Sequence, residues 1–456
     1  MEKTVRFLAS VLVCATLLFT AIFAYADLRD DRNVAREERI PGQYIVVFKD
    51  SVDAQAAEDD IIVRTRGERL NSYRSAISGF AARISLADLE TVKNDPRVAF
   101  VSEDRVVSIE QTSRERDVSV LRTTRDRAPA ATAKSPLSTT VSQTLPTGID
   151  RINDVENKTN KGAGVHVAVI DTGIQTNHPD LKSNIAGGKN CSTGTSYNDG
   201  NGHGTHVAGT IAALDNGVGV VGVAPEAKLW AVRVLNNSGS GTWSSVICGI
   251  DFVTSKAPAH GGPITVANLS LGGGGFSDNN CGMTTTGPGS NDALHKAICR
   301  ARDAGVTIVV AAGNSGVNAA TQVPAAYDDA VITVSALADS NGKAGGGGAG
   351  TSYGADDTFA SFSNYGSAIV DIGAPGVNIY STWLKSGYKT ISGTSMASPH
   401  VAGAAALYIA THPITSETSW RVVRDALTGV GERLNDGHTD PSLNHPEPVL
   451  LVDTLY

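Results

Sequence analysis

Val165-His166-Val167-Ala168-Val169-Ile170-Asp171-Thr172-Gly173 is an apolar, largely β-branched run that ends on a carboxylate and a glycine. Near-continuous runs of this sort are strands buried on both faces of a parallel sheet. Similar runs recur at 229–234, 264–271, 306–311 and 331–335, interleaved with helical patterns at 204–214, 244–255, 291–304 and 398–410. The alternation predicts an α/β fold with a mostly parallel sheet flanked by helices, and such a sheet places its ligand site at the C-terminal ends of its strands. Asp171 stands at that rim, and Gly173 lets the chain turn sharply behind it.

Upstream the pattern changes. Three strand-like runs, 44–48, 80–84 and 98–109, are separated by helical stretches at 54–66 and 86–93, which predicts a small α+β module over 43–110. Residues 111–142 are rich in Arg, Thr, Ser, Ala and Pro without an apolar period, so an exposed, protease-sensitive linker is expected before a larger domain at 143–456. The extreme N-terminus carries Lys3 and Arg6, an apolar stretch from 7 to 23 and then Ala24-Tyr25-Ala26. That order reads as a secretory signal peptide over 1–26, with an uncleaved anchor as the alternative. Secretion to the extracellular space follows, with no stable membrane association.

A chain of 456 residues with 41% apolar and 18% charged residues has room for one large core and a smaller one. Its net charge of -8 comes without acidic blocks or basic runs, so nucleic acid is not an expected partner. Cys14 leaves with the signal, and Cys191, Cys248, Cys281 and Cys299 remain as an even set bound for an oxidising space. Three pairings are open. Cys281 and Cys299 bracket one short Gly-rich insert and a helix, which favours joining them and leaves Cys191 for Cys248. None lies in a Cys-x-x-Cys pair, which argues against a structural zinc knuckle.

Three further segments carry chemistry. His203 opens a helix within Asn201-Gly-His-Gly-Thr-His206, Ser395 precedes another within Gly393-Thr-Ser-Met-Ala-Ser-Pro-His400, and Asn314 follows a strand in Ala311-Ala-Gly-Asn-Ser-Gly316. Each alone reads blandly, as a helix-start residue or a turn residue. Metal binding by His203 and His206 lacks a carboxylate or cysteine set nearby. Together they suit acyl transfer. Serine is too weakly acidic to attack unaided, histidine near neutrality can take and return its proton, and a buried Asp171 fixes the ring's tautomer. An Asn314 amide and the helix's positive end would steady the oxyanion.

These segments, Val-Ala-Val-Ile-Asp171-Thr-Gly, Gly-His203-Gly-Thr-His-Val-Ala-Gly-Thr and Gly-Thr-Ser395-Met-Ala-Ser-Pro-His-Val-Ala-Gly, resemble the subtilisin family, in its Asp, His, Ser order. The resemblance runs from about Gln143 to the C-terminus, and the 43–110 module resembles the family's ferredoxin-like inhibitory prodomain. An esterase of α/β-hydrolase type is disfavoured, because Gly393-Thr-Ser-Met-Ala397 departs from its Gly-x-Ser-x-Gly elbow. A binding protein on an inactivated scaffold would lack a triad member, and none is missing.

The resemblance implies a monomeric serine endopeptidase made as a self-processed precursor, acting on proteins and peptides and held in check by its own prodomain. Gly239-Ser240-Gly241 and Ser270-Leu271-Gly272 fall where the family sandwiches an extended peptide, with Gly313 beside them. Trp243 and Val246 fall at an apolar pocket four residues before the cut. No carboxylate lies in either segment, so cleavage after large apolar or aromatic residues is expected; Gln322 falls near the pocket floor. The resemblance also implies Ca2+ at Gln143, Asp180, Leu214, Asn216, Val218 and Val220, oxygen donors that suit that cation. A second metal site is implied at Asp371 with the carbonyls of Ala325, Tyr327 and Ala330.

Overall fold

The computed structural model describes residues 39–109, 142–154, 159–413 and 419–455. The expected signal peptide and nearly all of the 111–142 linker lie outside the described residues.

The N-terminal module contains β1 (Arg39–Phe48), α1 (Ala54–Thr65), β2 (Glu68–Tyr73), β3 (Gly79–Arg83), α2 (Leu86–Lys93) and β4 (Val98–Ser108). Its antiparallel sheet runs β2-β3-β1-β4. Val46, Phe48 and Phe80 bury one face against Ile61 of α1 and Leu89 and Val92 of α2. Both helices have side-chain caps at their starts: Asp53 accepts from the amides of Gln55 and Ala56, and Ser85 from Asp88. β2 is absent from the sequence expectation because Glu-Arg-Leu-Asn-Ser-Tyr has no strong β alternation; pairing with β3 makes it a strand.

The C-terminal domain begins with α3 (Thr147–Arg151), β5 (His166–Asp171), β6 (Ile185–Asn190), α4 (His203–Ala212), β7 (Lys228–Arg233), β8 (Ser240–Thr242), α5 (Trp243–Ser255), β9 (Ile264–Leu269) and β10 (Gly273–Gly274). It continues through α6 (Ala293–Asp303), β11 (Thr307–Ala311), β12 (Gln322–Val323), β13 (Ile332–Ala338), β14 (Thr358–Phe359), β15 (Ile372–Pro375), the hairpin β16 (Ile379–Trp383) and β17 (Gly387–Ile391), α7 (Thr394–Thr411) and α8 (Ser419–Val430).

The main sheet has eight strands in the order β14-β13-β11-β9-β5-β7-β6, with β15 also paired to β13. All its pairings are parallel except that of the short β14. Every residue of β11 and β13 is buried, as the unbroken apolar runs require. α4 and α7 cover one face, with Val207, Ile211, Val401 and Leu407 packed on Val167, Val169 and Val334. α5 and α6 cover the other through Val246, Ile250, Ala297 and Ile298. Cys191 is bonded to Cys248 and Cys281 to Cys299, the pairing the sequence favoured.

One helix start differs from expectation. The sequence pattern sets it near 398, yet α7 begins at Thr394, so Ser395 lies in the first turn and Pro399 in the second. The amide that Pro399 lacks would have bonded the Ser395 carbonyl. Ser270 Oγ donates to that carbonyl instead, at 2.9 Å. The proline is accommodated by a tertiary bond.

Candidate active site

β5 delivers Asp171 to the rim, fully buried. Its Oδ1 accepts from the Thr172 amide at 2.6 Å, and Thr172 Oγ1 accepts from the Gly204 amide at 2.9 Å, which ties the strand end to the start of α4. That approach needs glycine: a Cβ on Gly204 would sit 2.2 Å from the Gly173 carbonyl and 3.1 Å from Asp171 Oδ1. α4 therefore places His203 with Nδ1 2.9 Å from both Asp171 oxygens. A carboxylate there holds the proton on Nδ1 and leaves Nε2 as the acceptor. His206, one turn on, serves a different end. Its Nε2 meets the carbonyls of Ile379 at 3.0 Å and Lys389 at 3.1 Å across the β16–β17 hairpin, and burial first of all lowers its pKa to about 3.

Ser395 is held by a network on β9. Ser395 Oγ donates to the Ser270 carbonyl at 3.3 Å, Asn268 Nδ2 donates to Ser270 Oγ at 2.9 Å, and Ser398 Oγ donates to Asn268 Oδ1 at 2.7 Å. Asn268 and Ser398 escaped the sequence reading, although a buried polar residue inside Val266-Ala-Asn-Leu is a usable signal. Asn314 is fixed by its oxygen, which accepts from the Thr394 amide at 2.8 Å and from Thr394 Oγ1 at 2.9 Å. Those two donors settle the amide's orientation. Its Nδ2 is turned toward Gly393, where a Cβ would lie 3.3 Å away. Gly313 donates its amide to Thr394 Oγ1 at 3.1 Å, so Thr394 organises both residues before the α7 N-terminus.

The two expected edge segments face each other across an occupied slot. β4 enters it antiparallel to β8, with Val106, Val107 and Ser108 opposite Thr242, Gly241 and Ser240. On the other side Ser108 bridges Gly272, its amide donating to the Gly272 carbonyl at 3.4 Å and the Gly272 amide returning the bond at 3.2 Å. The Ile109 amide donates to the Gly239 carbonyl at 2.9 Å. Val107 and Ile109 join the buried cluster of Trp243, Val246 and Leu271. A Cβ on Gly239 would strike Ile109 Cδ1 at 2.6 Å. Gln322 pairs with Gly274 just beyond the slot.

Reciprocal carboxylates fasten this docking. Asp104 of β4 accepts from the Ser244 amide at 3.0 Å and from Ser244 Oγ at 2.5 Å, capping α5 from outside. Asp251 of α5 accepts from the amides of Arg74, Ser75 and Ala76 at 3.0, 2.7 and 2.8 Å. Burial above all raises the pKa of both.

The first candidate calcium ligands are gathered. Residues 142–144 lie along the 217–220 loop, Gln143 and Thr144 donating their amides to Gly217 at 3.0 Å and Gly219 at 2.7 Å. Asp180 is buried beside them, its Oδ2 accepting from the Val220 amide and its Oδ1 from Asn216 Nδ2, both at 3.0 Å. Gln143 Oε1 accepts from the amides of Asn216 and Gly217. Among the described residues no hydrogen bond ends on the carbonyls of Leu214, Val218 or Val220. One buried carboxylate, two amide oxygens and three uncommitted carbonyls fit a hard cation.

The second donor set fits poorly. The Ala325 carbonyl already accepts from Thr333 Oγ1 at 2.8 Å and that of Tyr327 from the amides of Ala330 and Val331. Asp371 accepts from the Thr333 amide at 2.9 Å and faces the Arg424 guanidinium at 3.8 Å. The Arg424 guanidinium thus already faces the one carboxylate of this set.

Two family profiles match: the Subtilase family over 162–440 and the peptidase inhibitor I9 family over 43–110. Subtilisin NAT of Bacillus subtilis subsp. natto is 33% identical, over 94% of each chain. Subtilisin DY of Bacillus licheniformis is 43% identical, over 64% of this chain and 94% of its own. Among solved structures, a cold adapted subtilisin-like serine proteinase aligns with a TM-score of 0.51 and 36% identity, covering 65% of this chain and 91% of that one.

Proposed function

We propose, from the premise that this chain belongs to the subtilase family and is a serine endopeptidase carrying an I9-type inhibitory prodomain, that Ser395 attacks the peptide carbonyl while His203, oriented by Asp171, accepts its proton. The proton then passes from His203 Nε2 to the leaving amine, and water repeats the sequence on the acyl-enzyme. Asn314 Nδ2 and the Ser395 amide at the head of α7 stabilise the oxyanion.

The observation that carries this reading is the peptide already in the slot. Residues 106–109 make main-chain bonds to 239–242 on one side and to Gly272 on the other, a mode that reads extended polypeptide and not sugar or lipid. Substrates take the same path, with broad selection for large apolar or aromatic residues before the cut, since neither edge segment carries a carboxylate.

The module at 43–110 is the intramolecular inhibitor, the 111–142 linker holds the processing region, and 143–456 forms the catalytic domain. Taking Val107, which shares a buried cluster with Trp243 and Val246, as the fourth residue before the cut, the count along the chain puts the processed bond after Glu110, which lies outside the described residues. Effective concentration offsets a poor side chain there.

Ca2+ is proposed at Gln143, Asp180, Leu214, Asn216, Val218 and Val220, where it would hold the 142–144 strand to its loop by charge and coordination. The enzyme is proposed to be secreted and monomeric, with no nucleic-acid partner; no helix among the described residues is long and apolar enough to cross a membrane. The test is Ser395→Ala: the precursor should accumulate uncut and lose fluorophosphonate labelling. Full processing of pure Ser395→Ala would refute self-cleavage, and undiminished labelling would refute the nucleophile.

A further inference from the structure

A second constellation of reactive groups lies on the opposite face of the sheet from α7. On α6, His295 and Cys299 are one turn apart and share a face. Cys281, bonded to Cys299, and Asp329 close the group, so that one donor atom from each of Cys281, His295, Cys299 and Asp329 lies within 4.8 Å of every other. His295 is fully buried, with Nε2 2.6 Å from Asp329 Oδ1 and Nδ1 3.3 Å from Asp278 Oδ1. Cys281 Sγ is 3.6 Å from Asp329 Oδ2, and the Cys281 amide donates to the same oxygen at 3.1 Å.

Contacts other than the disulfide also hold His295 and Asp278 in place. The ring of His295 stacks on Tyr327, centroids 4.0 Å apart, and Tyr327 Oη donates to Asp292 Oδ2 at 2.6 Å. Asp278 is anchored by the amides of Asn280, Gly282 and Thr284. Two thiolates, an imidazole and a carboxylate form a donor set for a tetrahedral, borderline-soft divalent cation. The carboxylate of Asp278 lies 3.3 Å from the far ring nitrogen, which makes no hydrogen bond as it stands, and is placed to become the outer partner that a metal-bound histidine usually has.

We propose that reducing the Cys281–Cys299 disulfide turns this cluster into a binding site for a zinc-class cation, with Cys281 Sγ, Cys299 Sγ, His295 Nε2 and Asp329 as ligands and Asp278 as the positioning residue. The redox step takes two electrons from a named external reductant, a water-soluble phosphine, and two protons from one water, whose oxygen leaves on the phosphine as phosphine oxide. Cation binding then releases the two thiol protons. The oxidised chain holds the same atoms in place but offers no thiolate, so it does not bind the cation.

The test uses the full-length Ser395→Ala chain, which cannot digest itself, reduced with the phosphine, freed of it without oxygen and titrated with cobalt(II). The expected result is one cobalt per chain, with tetrahedral visible bands and thiolate charge-transfer absorption, in the reduced protein only. The signal should survive Cys191→Ser with Cys248→Ser and vanish in Cys281→Ser with Cys299→Ser and, separately, in His295→Gln. Asp278→Asn should weaken binding by about 10- to 100-fold. Far-UV circular dichroism monitors folding: a reduced chain that regains structure on adding cobalt supports the site. A reduced chain that binds no cobalt, folded or not, overturns it, as does a signal that persists without Cys281 and Cys299.

Discussion

Replacing Asp171 by Asn tests the proposed machinery with little change of shape. His203 Nδ1 lies 2.9 Å from both Asp171 oxygens, and the carboxylate has no exposed surface. When His203 takes the serine proton, an imidazolium forms with its charge about 4 Å from that carboxylate, an attraction of about 4 kcal/mol at an effective dielectric constant of about 20. At about 1.4 kcal/mol per tenfold in rate, that alone is roughly a thousandfold. The asparagine amide can also donate to Nδ1 and force the proton onto Nε2, where the ring cannot act as a base, which carries the expected loss to about ten-thousandfold in kcat. The variant precursor, cut in trans with a trace of a separable protease, is assayed for kcat and KM on a chromogenic peptide with an aromatic residue before the scissile bond. Its fold is checked by circular dichroism, since Asn keeps an acceptor for the Thr172 amide. A loss below about tenfold, or one confined to KM, would refute the assigned role.

Other outcomes follow from the same geometry. Met396 adjoins Ser395 and is buried in the main core, so peroxide should lower kcat as its sulfoxide forms, and Met396→Leu should resist; equal inactivation of both would contradict this. A chelator should lower the thermal midpoint by several degrees, as expected for loss of a ligand bound only by the folded state, and Asp180→Ala should abolish that response in a melting assay. Asp339 is buried, and burial chiefly raises its pKa to about 6, so its folded form holds its proton more tightly than the unfolded chain does. Stability should therefore fall as pH rises from about 4 to about 6, and Asp339→Asn should remove up to about 3 kcal/mol of that loss; parallel denaturation curves of both proteins at pH 4 and 7 would argue against it.

Much of the framework is legible one residue at a time because its causes are local. Unbroken apolar runs such as Val-Ala-Val-Ile can be satisfied only between two covered faces, and β5, β11 and β13 are buried accordingly. The residue types at 171, 203, 314 and 395 are those that the proposed proton transfer and oxyanion stabilisation require. Where local signals are weak, the reading falls short: β2 exists because β3 pairs with it, and the start of α7 is displaced to Thr394 by bonds from Ser270 and Asn314 that no window of neighbouring residues contains.

The sequence by itself determined the alternation of elements, the Asp, His and Ser order and the favoured cysteine pairing, because periodicity and residue chemistry are properties of short segments. Only the tertiary structure decided that β4 fills the slot between Gly241 and Gly272, that Arg424 stands at Asp371, and that His295 lies between Asp278 and Asp329 beside a disulfide. Those meetings join residues from 17 to 164 positions apart, fixed by how layers stack, and no spacing along the chain encodes them.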